Sequence, residues 1–170
     1  MVPQDFPQAP AYALTDLPGR PDGPFAVLTE DRQDENRLLA LAEQFGPRLL
    51  IPEVWSQVLP QTGVLVSSAL SGGTMAQRLA EAAESYPHRC WLLLEPMAME
   101  FPLPCPTGNG VQMTTIDCDK QFYSEALCCQ YAHFVRNQQG FVVLWDTEKT
   151  LQQKKELAKE AGFLGYVCSP

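Results

Sequence analysis

At 170 residues, with 45% hydrophobic and 19% charged side chains, the chain has the composition of one globular unit able to bury about two-thirds of its unfolded surface. Twelve basic residues against twenty acidic ones give a net charge of −8, and the one close basic pair, Lys154-Lys155, is interleaved with Glu156 and Glu160. That field argues against a nucleic-acid partner.

The opening stretch, "MVPQDFPQAPAYAL", has neither the basic start nor the apolar centre of a secretion signal. No apolar run approaches the ~20 residues that span a bilayer. The expectation is a soluble cytoplasmic protein without membrane contact. Its six cysteines (Cys90, Cys105, Cys118, Cys128, Cys129, Cys168) are then expected as reduced thiols. No metal and no cofactor is expected.

Residues 1–24 carry six prolines and two glycines, which forbids helix and reads as an extended arm. Residues 25–170 read as a single α/β domain. Phe25 to Leu28 forms a short buried strand. Asp34 to Phe45 is a helix with Leu38, Leu41, Ala42 and Phe45 on one face, closed by Gly46 and Pro47. Leu49 to Ile51 and Gly63 to Ala69 are the next strands. Thr74 to Tyr86 is a helix, because Met75, Leu79, Ala82, Ala83 and Tyr86 recur at helical spacing. Cys90 to Leu94 is the fourth strand.

A long excursion rich in proline, glycine and threonine follows. Leu127, Tyr131, Phe134 and Val135 then predict a helix from Ser124 to about Asn137. Phe141 to Trp145 reads as a fifth strand, Thr147 to Ala161 as a helix and Tyr166 to Cys168 as a sixth strand. These strands are apolar at successive positions, so both faces are buried. Buried strands alternating with helices predict an α/β fold with a mainly parallel sheet of about six strands. The sheet is either an open three-layer one or an incomplete, shortened barrel, since an ordinary eightfold barrel needs about 250 residues.

In such sheets ligands collect where the strands end. That rule selects Glu95, directly after the fourth strand, and Asp146, after the fifth. Glu125 joins them as a charge presented beside the long 95–123 loop. The three are the acid/base candidates, and Asp146 also reads as a helix cap. Ser71, Gly72, Gly73 and Thr74 lie between a strand and a helix, where free backbone N–H groups favour an anion or polar ligand. The same residues also suit a plain turn capped by Thr74. Trp55 and Trp145 are candidate stacking platforms.

The last thirty residues, "FVVLWDTEKTLQQKKELAKEAGFLGYVCSP", resemble the closing strand–helix–strand of family 18-type glycoside hydrolase barrels. The likeness implies a carbohydrate-active barrel. The D-x-x-D-x-D-x-E strand of that family does not occur in this chain, so the resemblance carries over no catalytic residue. The function expected is binding of a small polar ligand, such as a saccharide, at the carboxyl edge of the sheet, with or without hydrolase chemistry. The alternative is a protein-interaction or assembly domain, homo-oligomeric or otherwise, using the proline-rich arm and the apolar residues Met97, Met99, Phe101 and Leu103.

Overall fold

The structure is a computed structural model that describes residues 5–170. Six parallel strands form one sheet: β1 (Ala11–Tyr12), β2 (Phe25–Val27), β3 (Leu49–Pro52), β4 (Gly63–Ser67), β5 (Cys90–Leu94) and, last in the chain, β11 (Tyr166–Cys168). Helices α1 (Glu35–Phe45), α2 (Met75–Ser85) and α3 (Glu148–Glu160) lie outside it. The strand order follows the chain order, as connections through helices dictate.

The sheet curls until its two edges meet. Ala9 N–H donates to the Tyr166 carbonyl at 2.9 Å, and Tyr166 N–H donates to the Pro7 carbonyl at 2.9 Å. The same segment pairs its other side with β2, where Ala11 and Tyr12 face Ala26 and Val27. Residues 7–12 therefore join the first strand to the last. The arm's prolines suit this role, because a proline can accept through its carbonyl without offering an N–H.

Curling explains why the strands are apolar on both faces. Ala9, Ala26, Leu50, Leu65, Trp91, Leu93 and Val167 point inward and fill the barrel. The alternate residues point outward. Phe25, Val27, Leu49 and Ile51 pack under Leu38 and Ala42 of α1, while Val64, Val66, Leu92 and Leu94 pack under Met75, Leu79 and Ala82 of α2 and Ala158 of α3. Trp91 is the one large side chain in the ring, and the alanines supply its space.

Between β5 and α3 the chain builds a second sheet. Strands β6 (Ala98–Leu103), β7 (Val111–Gln112), β8 (Phe122–Ser124), β9 (Cys129–Arg136) and β10 (Gln139–Trp145) are antiparallel, in the order β7-β6-β10-β9-β8. Two expectations change here. The segment 124–137 is strand and turn, not helix, because Cys129–Arg136 pairs along its length with β10 through a tight turn at Asn137 and Gln138, both at positive φ. Phe141–Trp145 belongs to this insert and not to the parallel sheet, whose sixth member is instead β1.

Among the described residues no helix is long and apolar enough to cross a membrane. All six cysteines are free. Burial pushes the Cys90 thiol up to about 11, with the Glu53 charge adding to the effect, and burial likewise pushes Cys129 up to about 11, from an ordinary 9.0. Both thiols therefore stay protonated in the native state while the unfolded chain loses its protons above pH 9. The native state binds more protons in that window, so stability is full below pH 9 and falls as pH rises toward 11. At neutral pH a maleimide should label the exposed Cys168 and leave Cys90 and Cys129 unmodified until the protein unfolds, as mass spectrometry of native and denatured samples would read directly.

Candidate functional site

The carboxyl ends of β4, β5 and β11 open onto a cleft of about 580 Å³ whose opposite wall is the insert. Ala69, Ser71, Glu95 and Ser169 come from the barrel side, and Met97, Met99, Phe101 and Gln112 from the insert. The loop Gly108-Asn109-Gly110 closes one side. Gly110 lies so flat on Phe101 that an added Cβ would stand 2.7 Å from the ring. Only glycine fits there without displacing the aromatic wall.

Glu95 sits where the chain leaves the barrel for the insert. Its Oε2 accepts a hydrogen bond from Ser67 Oγ. Its backbone N–H donates to Ser68 Oγ at 2.9 Å. The carboxylate is half-buried and is the one charged group lining the cleft.

Asp146 is placed differently. Its side chain has 0% exposure and pairs with Lys154 Nζ at 2.8 Å, also 0% exposed. Thr150 Oγ1 donates to Oδ1 at 2.8 Å, and Met97 N–H donates to Oδ2 at 3.0 Å. Capping of α3 falls to Thr147, whose hydroxyl accepts from Thr150 N–H at 3.2 Å. Lys154 projects from α3 between Thr150 and Ala158, on its buried face. Its ammonium also donates to the Ser68 carbonyl at 3.0 Å.

The buried pair thus clamps both flanks of Glu95, Ser68 across the barrel rim and Met97 just beyond the strand. Asp146 has no surface from which to reach a ligand in the cleft. It positions the carboxylate that does.

The remaining candidates scatter. Glu125 is exposed in the turn between β8 and β9, outside the cleft. Trp55 has 0% exposure and spends its indole N–H on the Thr29 carbonyl at 2.7 Å, so it is core. Trp145 is buried on the back face of the insert with Ala132 and Val143. Ser71 lines the cleft, whereas Gly72 and Gly73 are exposed outside its walls, with Gly73 at φ +76 as its turn requires.

Thr74 precedes α2 without a side-chain cap, because the Ala126 carbonyl of the insert accepts the Met75 N–H at 2.7 Å. That contact occupies the donor an anion would have used. Met97 and Phe101 are buried, so the apolar run that could have served a partner protein is largely consumed inside the molecule.

Ser67, Asn109 and Gln112 were not singled out as site residues by sequence reasoning. Ser67 ends β4 and was legible by the strand-end rule. Asn109 and Gln112 reach the cleft only because β7 pairs with β6. Among the described residues no group of three His, Cys, Asp or Glu side chains could hold a metal ion.

Fold and site together define a class: a short parallel α/β barrel with an antiparallel sheet inserted after one strand and a carboxylate in the cleft between them. Solved structures share the fold. The spore cortex-lytic enzyme SleL of Bacillus cereus matches 85% of this chain with a TM-score of 0.51 at 15% identity. SleL of Bacillus megaterium QM B1551 matches 85% with a TM-score of 0.51 at 10% identity. YdhD of Bacillus subtilis, described as a sporulation-specific glycosylase, matches 85% with a TM-score of 0.52 at 9% identity.

The chain spans 44% of each SleL chain and 64% of YdhD. At these identities the likeness is one of fold. The glycosidase-like character of the closing segment therefore extends, as architecture, to most of the chain. No protein-family model matches the sequence, and no curated protein matches it.

Proposed function

We propose that the protein binds a saccharide in the cleft between barrel and insert, and that Glu95 is the polar anchor and the acid/base group of the site. The observation that carries this reading is the Glu95 carboxylate, hydrogen-bonded by Ser67 and clamped on both flanks at the floor of a 580 Å³ cleft. The apolar wall of Met99 and Phe101 opposite it suits the hydrophobic face of a sugar ring, and Ser71, Ser169 and Gln112 suit hydroxyls. The fold shared with a cortex-lytic enzyme and a glycosylase supports a glycan over other polar ligands.

A second reading, a binding protein without turnover, is favoured by one fact. Glycoside hydrolysis usually employs two carboxylates about 5–10 Å apart, and Glu95 is alone in the cleft.

One experiment addresses both. The protein and Glu95→Gln are titrated with oligosaccharides of amino sugars and with soluble peptidoglycan fragments, and the products are followed by mass spectrometry. If Glu95 is a general acid, the substitution lowers turnover by about 10²–10⁴-fold and leaves a folded protein. If the protein only binds, the native chain gives no product and Glu95→Gln weakens binding by about tenfold, a lost hydrogen bond to a charged group. Equal binding and equal turnover in the two proteins would remove the site.

A further inference from the structure

We propose that the insert carries a second binding site, on the face turned away from the cleft, for a small organic ammonium ion. Met99 and Phe101 line the cleft, and Glu100 between them points to the opposite side of the sheet, into a separate cavity of about 290 Å³. Segment 113–118 covers this cavity. Its walls are mainly apolar, from Met113, Ile116, Phe134 and Val143.

The charged groups choose the ligand. Glu100 is 8% exposed, and a carboxylate so far from water needs partners for both oxygens. Arg136 supplies one, donating to Oε1 at 2.8 Å. Among the described residues Oε2 accepts no hydrogen bond. Arg136 is not free to serve both, because its guanidinium is held over the Phe141 ring at 4.4 Å and near Phe134 at 5.7 Å.

Asp117 lines the same cavity. Two carboxylates against one guanidinium leave a single negative charge in excess. A monocation with an N–H to give satisfies Oε2 and balances that charge.

The apolar walls specify the rest of the molecule. Phe134 offers a ring to an ammonium group, and a cavity of this volume takes a hydrocarbon body the size of one six-membered ring. Polyols are disfavoured by the walls, so this site and the cleft select different ligands.

Benzylamine, charged at neutral pH, tests the proposal on the whole chain by methyl NMR titration. Saturable binding that shifts the Ile116 and Val143 methyls is expected. Benzyl alcohol, equal in shape and uncharged, should bind at least about tenfold more weakly. Glu100→Gln should lose at least about tenfold in benzylamine affinity, and Ile116→Trp, which fills the cavity while keeping the carboxylate, should abolish binding. Benzyl alcohol binding as well as benzylamine, an unchanged affinity in folded Glu100→Gln, or no saturable binding to the native chain would each overturn it. Should Glu100→Gln fail to fold, the alcohol comparison and Ile116→Trp decide.

Discussion

Replacing Lys154 by alanine should destabilise the protein by about 3–5 kcal/mol, the cost of leaving a buried charge without its partner. The reason is the completeness of the pairing. Lys154 and Asp146 both have 0% side-chain exposure, and the ammonium contacts Asp146 and the Ser68 carbonyl. With the amine gone, Asp146 keeps Thr150 and the Met97 N–H but loses its counter-charge in a place water does not reach.

Asp146→Ala should cost a similar amount for the mirror reason. It should also release Met97, and with it the start of the insert. A Lys154→Met, Asp146→Leu double variant separates charge from packing, because apolar replacement of a whole buried pair is often neutral or stabilising. Urea unfolding monitored by tryptophan fluorescence measures all three. The single variants should shift the midpoint by about 1.5 M or more, given a slope near 2 kcal/mol/M for a chain of this size. Single variants that unfold within about 1 kcal/mol of the native protein would show that the pair is not desolvated in solution.

The same pair shows how far local sequence carries. Asp146 was legible as a residue following an apolar strand, and its neighbours Thr147 and Glu148 made a helix cap the natural reading. Its actual partner lies two helical turns on, at Lys154, on a face that also holds Thr150 and Ala158. A lysine in an apolar stripe reads as an interruption until the oxygen it meets is known, and that oxygen comes from another element.

The barrel strands were more legible. Phe25–Val27, Leu49–Pro52, Gly63–Ser67 and Cys90–Leu94 are apolar on both faces because one side fills the barrel and the other lies under helices. That pattern is local. The Glu95 position followed from the same rule, since the residue after such a strand must emerge at the rim.

The insert was misread where local pattern and distant pairing disagreed. Leu127, Tyr131, Phe134 and Val135 mimic helical spacing, yet Tyr131 faces Leu144 and Phe134 faces Phe141 across a hairpin. Strand preference depends on what lies alongside, and here the neighbour is β10. Once 129–136 is a strand, its alternation sends Ala132 and Phe134 to the back of the sheet. Pairing then sends Val143 and Trp145 with them, which removes Trp145 from the cleft.

Gly165→Val should open the barrel at its seam, with a loss of about 3 kcal/mol or more, at the upper end of what overpacking a core position costs. A Cβ at this position would run into both the Pro7 carbonyl oxygen and the Trp91 ring. The first contact belongs to the segment that joins the sheet's two edges, where Tyr166 N–H donates to Pro7 and Ala9 N–H donates to Tyr166. The second belongs to the largest side chain in the barrel interior. A side chain at 165 must therefore displace either the closing strand or the tryptophan, and the two alternatives are distinguishable. In a Trp91→Leu background the ring is absent, so the valine penalty should shrink if Trp91 is the obstacle and persist if the Pro7 backbone is. A double-mutant cycle by thermal unfolding gives that coupling, expected at about 0.5–3 kcal/mol for residues in contact. Hydrogen exchange locates the failure: in Gly165→Val the Ala9 and Tyr166 amides should lose protection while those of β3 and β4 keep theirs. Uniform protection across all six strands would mean that residues 7–9 do not hold the sheet closed.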